Sequence, residues 1–247
     1  MRRQLRAELL KLLSARTSWA LAAAAVGLVV VITVLTLALS PASDLQTEQD
    51  VRSVLSVSGV AALFLLILGV VFSAGEYRHG TIAWTLLVTP DRLRVMAAQA
   101  LACAAVGVAV GLVVASLAAA ISLPWLDARE APTLSTGQVL GASTGGVLYT
   151  ALAASLGAGV GALLRNQVVA IVLVLVVLFV IDPTVTALAG GYDKYSLSGL
   201  GTAITGGPAE DVGADDLLPM WVAALIWVAY TAVLVGAAAV MTSRRDV

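Results

Sequence analysis

Residues 18–39 read SWALAAAAVGLVVVITVLTLAL, a run of 22 residues without Asp, Glu, Lys or Arg. A helix that crosses a bilayer needs about 20 mostly apolar residues, so this run is long enough to span a membrane. It is longer than the apolar core of a cleaved signal peptide, which has about 7–15 residues. Pro41 would also lie next to any cleavage site at its end. We therefore expect the segment to be retained as the first transmembrane helix.

Five further stretches share this absence of charged residues. They cover residues 53–74, 95–123, 136–164, 166–181 and 217–241. The stretch at 166–181 is the shortest, because Asp182-Pro183 interrupts it. The chain is 60% apolar and 12% charged, against roughly 25% charged residues in a soluble domain, and its mean hydropathy is +0.99. The sequence predicts an all-α integral membrane protein, a single domain over residues 1–247 with six transmembrane helices.

Positive charge is concentrated on one side of the predicted membrane. The two ends and every second loop carry 11 of the 14 Lys and Arg residues. Because these residues accumulate in cytoplasmic segments, both termini are expected in the cytoplasm. The longest segment on the outer side then covers residues 182–219, before the last helix. A structureless loop of that length is uncommon, so we expect a pair of short helices there that dips back toward the membrane.

The N-terminal segment, residues 1–16, combines leucines with basic residues. Leu5, Leu9, Leu12 and Leu13 recur at the spacing of one helical face, and charged residues occupy most of the remaining positions. This pattern predicts an amphipathic helix in the cytoplasmic interface of the membrane. The alternative is a positively charged flank to the first transmembrane helix.

The cytoplasmic loop at residues 75–94 contains its own helix signals. Gly80-Thr81 offers a break and an N-cap, and residues 82–88 form an apolar run of about two helical turns. Thr89, Pro90 and Asp91 suit the N-cap, the first position and the first turn of the next helix. We therefore expect a short helix within the loop, before the third transmembrane helix begins.

Three glycine pairs have the spacing that lets membrane helices approach closely. They are Gly107/Gly111, Gly141/Gly145 and Gly157/Gly161. Such pairs serve either packing within one subunit or an interface between subunits. Packing within one subunit is the simpler expectation.

Several classes of function lack the residues that they need. A P-loop requires a lysine directly after a glycine, and neither Lys11 nor Lys194 follows one. The single cysteine, Cys103, and the single histidine, His79, are too few for a four-ligand zinc site or an intrachain disulfide. The predicted spans contain no ionisable residues of the kind that couple transport to ions. No catalytic or metal-binding residue is therefore predicted.

The loop also resembles a known family. Residues 75–82 read GEYRHGTI, Leu86-Leu87 follow, and residues 89–92 read TPDR. This pattern is similar to the cytoplasmic loop of ABC-2 type permeases, the membrane subunits of type V ABC transporters, which carry a Gly-Glu…Gly-Thr…Pro-x-Arg run between their second and third spans. The N-terminal helix, the six-span plan and the long outer loop match as well. In contrast to many relatives, Ala97-Ala98-Gln99 contains no lysine, which bears on the choice of ATPase partner.

The resemblance implies the permease subunit of an ABC exporter in a bacterial inner membrane. Such a subunit forms a path for a hydrophobic or amphipathic substrate with a second permease, and two separate ATPase subunits bind ATP-Mg. It also implies that the chain itself binds no cofactor and no nucleic acid. The residues that would couple it to the ATPase are Glu76, Arg78, Thr81, Ile82, Trp84, Leu86, Leu87, Pro90 and Arg92. Of these, Glu76 and Arg78 would brace the second span against the N-terminal helix.

Two other functions are compatible with the residues alone. One is a membrane-embedded immunity or scaffold protein that binds a partner and transports nothing. The other is a carrier driven by an ion gradient, since sodium is sometimes held by carbonyl and hydroxyl oxygens without a charged residue.

Overall fold

The computed structural model describes residues 1–40, 59–129, 132, 135–189, 191–207 and 217–244. For Ser243 and Arg244 it describes the backbone and not the side chains. Their regular structure is entirely helical. The helices are α1 (Arg2–Ser14), α2 (Arg16–Leu39), α3 (Gly59–Arg78), α4 (Thr81–Val88), α5 (Arg92–Asp127), α6 (Thr136–Leu164), α7 (Gln167–Val176), α8 (Asp182–Leu188), α9 (Leu197–Thr205) and α10 (Met220–Arg244). A π-helical turn, Val177–Ile181, joins α7 to α8, and a 3₁₀ turn, Asp193–Tyr195, precedes α9.

Within the described ranges, six helices are long and apolar enough to cross a membrane. They are α2, α3, α5, α6, the continuous helix Gln167–Leu188 and α10 over Met220–Thr242. The prediction of a six-span, all-α, multi-pass membrane protein is therefore confirmed as far as the length and apolarity of the helices show it.

The predicted interruption of the fifth span at Asp182-Pro183 is wrong, because the helix continues to Leu188. The π-helical turn changes the hydrogen-bond register just before this point. Pro183 then lies in the first turn of α8, directly after this change of register. A local change of register thus accommodates a residue that ends most helices.

Helices α3 and α6 form the centre of the bundle. In α6, 67% of the most apolar window is buried, compared with 17% in the fifth span. Gly157 and Gly161 of α6 lie against the backbone of α3, where an added Cβ would overlap the carbonyl oxygens of Leu66 and Val70. Two helix backbones come this close only when one of them lacks side chains at the crossing.

The other predicted glycine pairs also pack within one subunit, with one exception. Gly107 and Gly111 of α5 lie against Thr150 and its neighbours on α6. Gly145 lies against the backbone of Ile204 in α9, whereas Gly141 faces open space. The expectation of packing within one subunit is confirmed except at Gly141.

Both ends of the described chain lie at the same end of the bundle. Lys11 of α1 contacts Glu76 near the end of α3, and Arg165 after α6 contacts Thr242 near the end of α10. We call this the α1 end. Arg52, Arg245 and residues 208–216, which contribute to the predicted charge distribution, lie outside the described residues.

At the opposite end, the described part of the segment between residues 182 and 219 forms one separate short helix, α9, where a pair was predicted, because α8 continues the fifth span. Asp182, buried at the start of α8, accepts hydrogen bonds from the amides of Leu197 (3.3 Å) and Ser198 (2.9 Å), and so holds the first turn of α9. Leu200 and Ile204 of α9 are fully buried against the bundle. The segment therefore packs into the protein.

Candidate functional site

Helix α1 packs one face against the bundle and leaves the other exposed. Leu12 is fully buried, and Leu5 and Leu9 are partly buried against the same core. Leu13 is exposed, so the predicted face of four leucines contains only three of them. The reason is geometric, because consecutive residues point about 100° apart on a helix. Whether α1 also contacts a membrane surface stays a prediction.

An ion pair joins α1 to the end of α3. The Lys11 ammonium lies 2.9 Å from Oε1 of Glu8 and 3.0 Å from Oε1 of Glu76. Both carboxylates are buried. The contact agrees with the bracing role expected of Glu76. Arg78, to which the same role was assigned, is instead exposed and makes no ion pair with the part of the chain that the structure describes.

Charge in this cluster is unbalanced, because two carboxylates share one ammonium. Burial raises the pKa of Glu8 above its ordinary value, and the nearby negative charge of Glu76 raises it further, while Lys11 and Gln4 lower it. The second carboxylate oxygens of Glu8 and Glu76 have no hydrogen-bond partner among the described residues. A buried oxygen without a partner is costly, and protonation of Glu8 reduces that cost.

A second cluster at the α1 end is centred on Thr242 of α10. Arg165 donates to its hydroxyl (2.8 Å), Arg92 donates to its carbonyl oxygen, and the Tyr77 hydroxyl lies 3.4 Å from its Oγ1. The Arg165 guanidinium also lies over the Tyr77 ring, 5.1 Å from its centroid. Arg92 therefore anchors the bundle, and Thr242, Arg165 and Tyr77 are site residues that sequence reasoning missed. The available signal was a threonine at the boundary between an apolar helix and a basic tail.

The predicted short helix in the loop is present as α4. Ile82 is buried and Leu86 is partly buried against the core. Trp84, Leu87 and Val88 are 74%, 75% and 85% exposed. Residues three and four apart share a side of a helix, so these three form one apolar surface, which we call the α4 face.

Both ends of α4 are tied to neighbouring elements. At its start, Gly80 is the N-cap in a left-handed conformation (φ 68°). Thr81 donates to the carbonyl oxygen of Glu76 (3.3 Å) instead of capping α4 itself. At its end, the Thr89 hydroxyl donates to Oε1 of Gln4 in α1 (3.1 Å). Helix α4 is thus connected to both α1 and α3.

The predicted N-cap of α5 is wrong by two residues. Asp91, not Thr89, is the N-cap, and its carboxylate accepts a hydrogen bond from the amide of Arg94 (3.0 Å). Pro90 disfavours the helical conformation for the residue before it, so Thr89 stays extended. Pro90 itself is exposed and precedes the helix.

Among known proteins, no family model matches the chain, and no curated protein is significantly similar to it in sequence. The loop from Gly75 to Arg94 remains the feature that suggests a family. The assignment of its residues to ATPase coupling stays a prediction.

Proposed function

We propose that this chain is the permease subunit of an ATP-binding cassette exporter in a bacterial inner membrane. Its termini and the α4 face lie in the cytoplasm, and residues 182–219 lie on the outer side. It pairs with a second permease to form a path for a hydrophobic or amphipathic substrate. Two separate ATPase subunits, which bind ATP-Mg, dock against α4. The α4 face is the observation that carries this proposal.

An exposed apolar patch at a membrane protein's aqueous end is unfavourable unless another surface covers it. Trp84 is a residue of the type that anchors protein interfaces. Because Ile82 holds the opposite side of α4 against the bundle, the α4 face presents its side chains on a fixed support. This arrangement suits a groove on a partner protein.

The alternative occupant of the α4 face is the membrane surface. Helices that lie in the interface are rich in Lys and Arg on their polar side, which bind anionic headgroups. Helix α4 reads TIAWTLLV and contains no charged residue. Its composition therefore favours a protein partner over the membrane surface.

The contacts of α4 provide a route from the ATPase to the transmembrane helices. A displacement of α4 would act on α3 through Thr81 and Glu76, and on α1 through Thr89 and Gln4. The Lys11–Glu76 contact then links α1 to α3. Movement imposed on α4 is in this way distributed over α1 and α3 together.

The test is recovery of the ATPase with the tagged chain, purified from the bacterium that encodes it and analysed by mass spectrometry. Trp84→Ala and Leu87→Glu are expected to reduce recovery of an ABC ATPase, because loss of an anchor residue costs about 2 kcal/mol or more of binding, roughly thirty-fold in Kd. Leu87 is preferable to Leu86 for this purpose, because Leu86 is partly buried and a charge there would disturb the bundle.

Trp221→Ala and Leu188→Glu are the matched controls. These residues are 68% and 81% exposed and lie at the opposite end of the bundle. They are expected to leave recovery unchanged. Equal recovery with all four variants would contradict docking at α4, and the absence of any ABC ATPase from the wild-type preparation would contradict the exporter assignment.

A further inference from the structure

An apolar cleft lies beside the centre of the bundle. It has a volume of about 560 Å³, within the range of roughly 300–1,000 Å³ that is typical of ligand sites. Its floor is formed by Leu66 of α3 and by Leu156 and Val160 of α6, and its sides include Val174 of α7 and Val233 of α10. All five side chains are aliphatic, so the cleft offers no charge to an occupant.

Two of the three tyrosine hydroxyls near the cleft are already hydrogen-bonded within the protein. Tyr192 and Tyr230 close one end of it. The Tyr192 hydroxyl donates to Asp182 (3.2 Å), and the Tyr230 hydroxyl donates to the carbonyl oxygen of Tyr195 (3.1 Å). Both of these hydroxyls have partners, whereas the hydroxyl of Tyr195, which also lines the cleft and is half exposed, makes no hydrogen bond among the described residues. The suitable occupant is therefore mainly apolar.

The cleft opens toward the surrounding lipid. Helix α7 packs on α3 and α6, and α10 packs on α6, α9 and α5, with little contact between α7 and α10, which leaves a gap between them. Val233 and Leu173 at this gap are exposed. Tyr230 lies ten residues into α10, about 15 Å along the helix axis, so the opening is at the depth of the hydrocarbon core.

We propose that this cleft is a specific binding site for one acyl chain of a membrane lipid. At that depth the bilayer supplies acyl chains and excludes water, so an apolar opening is filled by lipid. If a methylene takes about 30 Å³, similar to a water molecule in the liquid, the cleft holds one chain of roughly 15–20 carbons and not two. The site is independent of the export function proposed above.

The test is photolabelling in vesicles of phosphatidylethanolamine and phosphatidylglycerol that contain a phospholipid with a diazirine in one acyl chain. After irradiation, adducts are located by peptide mass spectrometry. We expect adducts on Leu156, which is buried from the outer surface but lines the cleft, as well as on the outward-facing Val172. Ala153 and Ala158 are buried on the same helix and do not line the cleft, so they serve as the background.

A variant that fills the cleft distinguishes labelling by a chain bound in the cleft from labelling by general contact with lipid. Val160→Trp places an indole in the cleft and is expected to reduce labelling of Leu156 about tenfold, because large aromatic rings occupy the space of a chain segment. Val172→Trp, on the exposed face of α7, is the control and should leave that labelling unchanged. If Val160→Trp fails to fold, the comparison of Leu156 with Ala153 in the wild-type chain still tests whether lipid enters the cleft. Labelling of Leu156 at the level of Ala153, whether the cleft is closed or covered by a second copy, would overturn the proposal.

Discussion

Lys11 lies between two buried carboxylates, one on its own helix and one on α3. In the sequence it belongs to the charged side of an amphipathic helix, where a solvated lysine is the ordinary expectation. The fold instead places Glu8 and Glu76 in the protein interior, so the lysine becomes a structural contact. Removing one partner from such a cluster leaves an uncompensated buried charge and is strongly destabilising.

The raised pKa of Glu8 makes the stability of the folded chain depend on pH. Because the ordinary value is 4.5, the folded chain binds the proton more strongly than the unfolded chain above that pH. The contribution of Glu8 to stability is therefore fully present below about pH 4.5 and is lost as pH rises through the folded pKa, by at most ~1.4 kcal/mol per pH unit for one proton. Glu8→Gln should remove this part of the decline. The measurement is the unfolding midpoint in detergent from pH 4.5 to 8, and identical profiles for wild type and variant would contradict the assignment.

At the scale of the helices, α3 and α6 determine the packing because their backbones approach closely. Gly157 and Gly161 lie directly against α3, and Gly69 of α3 lies against the backbone of α6. The same spacing at Gly141 faces open space. A small-residue motif thus has different roles at different positions of one helix.

Gly157→Ala is expected to push α3 and α6 apart and to lower stability by about 1–3 kcal/mol, as overpacking usually does. Gly141→Ala is the matched control on the same helix. It should be neutral or stabilising by up to about 1 kcal/mol, since alanine is the better helix former. Thermal unfolding of the two purified variants in the same detergent tests this, and equal midpoints would show that the α3–α6 contact is not as close as described.

At the scale of the molecule, six spans return the chain to the end at which it started. The contacts of α1 with α3 and of Arg165 with α10 place the described parts of both termini at the α1 end. Arg16, Arg78 and Arg92 begin or end helices at that same end, and Arg94 lies in the first turn of α5. This distribution is the one expected of a cytoplasmic side.

Cysteine labelling tests the orientation in a Cys103→Ala background, which lacks the native thiol. Leu188→Cys lies at the opposite end of the bundle and should react with an impermeant thiol reagent added to intact cells. His79→Cys, exposed at the α1 end, should react only after the cells are broken. The reverse pattern would exclude cytoplasmic termini.

The candidate site was predictable only in part. Helix α4 follows from a local signal, an apolar run between turn residues, whereas the Glu76 contact was expected only from the resemblance to ABC-2 type permeases. The Thr242 cluster did not follow, because each of its other members lies more than 70 residues from Thr242 along the chain. The two-residue error at the N-cap of α5 arose because Pro90 constrains Thr89, while the Asp91 side chain is free to accept the amide hydrogen bond.

The sequence by itself determined the class of protein, the number of spans and the presence of α1 and α4. These properties depend on the length and apolarity of each segment, because a membrane helix satisfies its backbone hydrogen bonds internally. Only the tertiary structure decided that α3 and α6 are central, that Asp182-Pro183 lies inside a continuous helix, and that Glu8 is buried. It alone shows the apolar cleft beside α3 and α6. Such features depend on which faces of distant helices fit together, and the spacing of residues within one helix does not specify its neighbour.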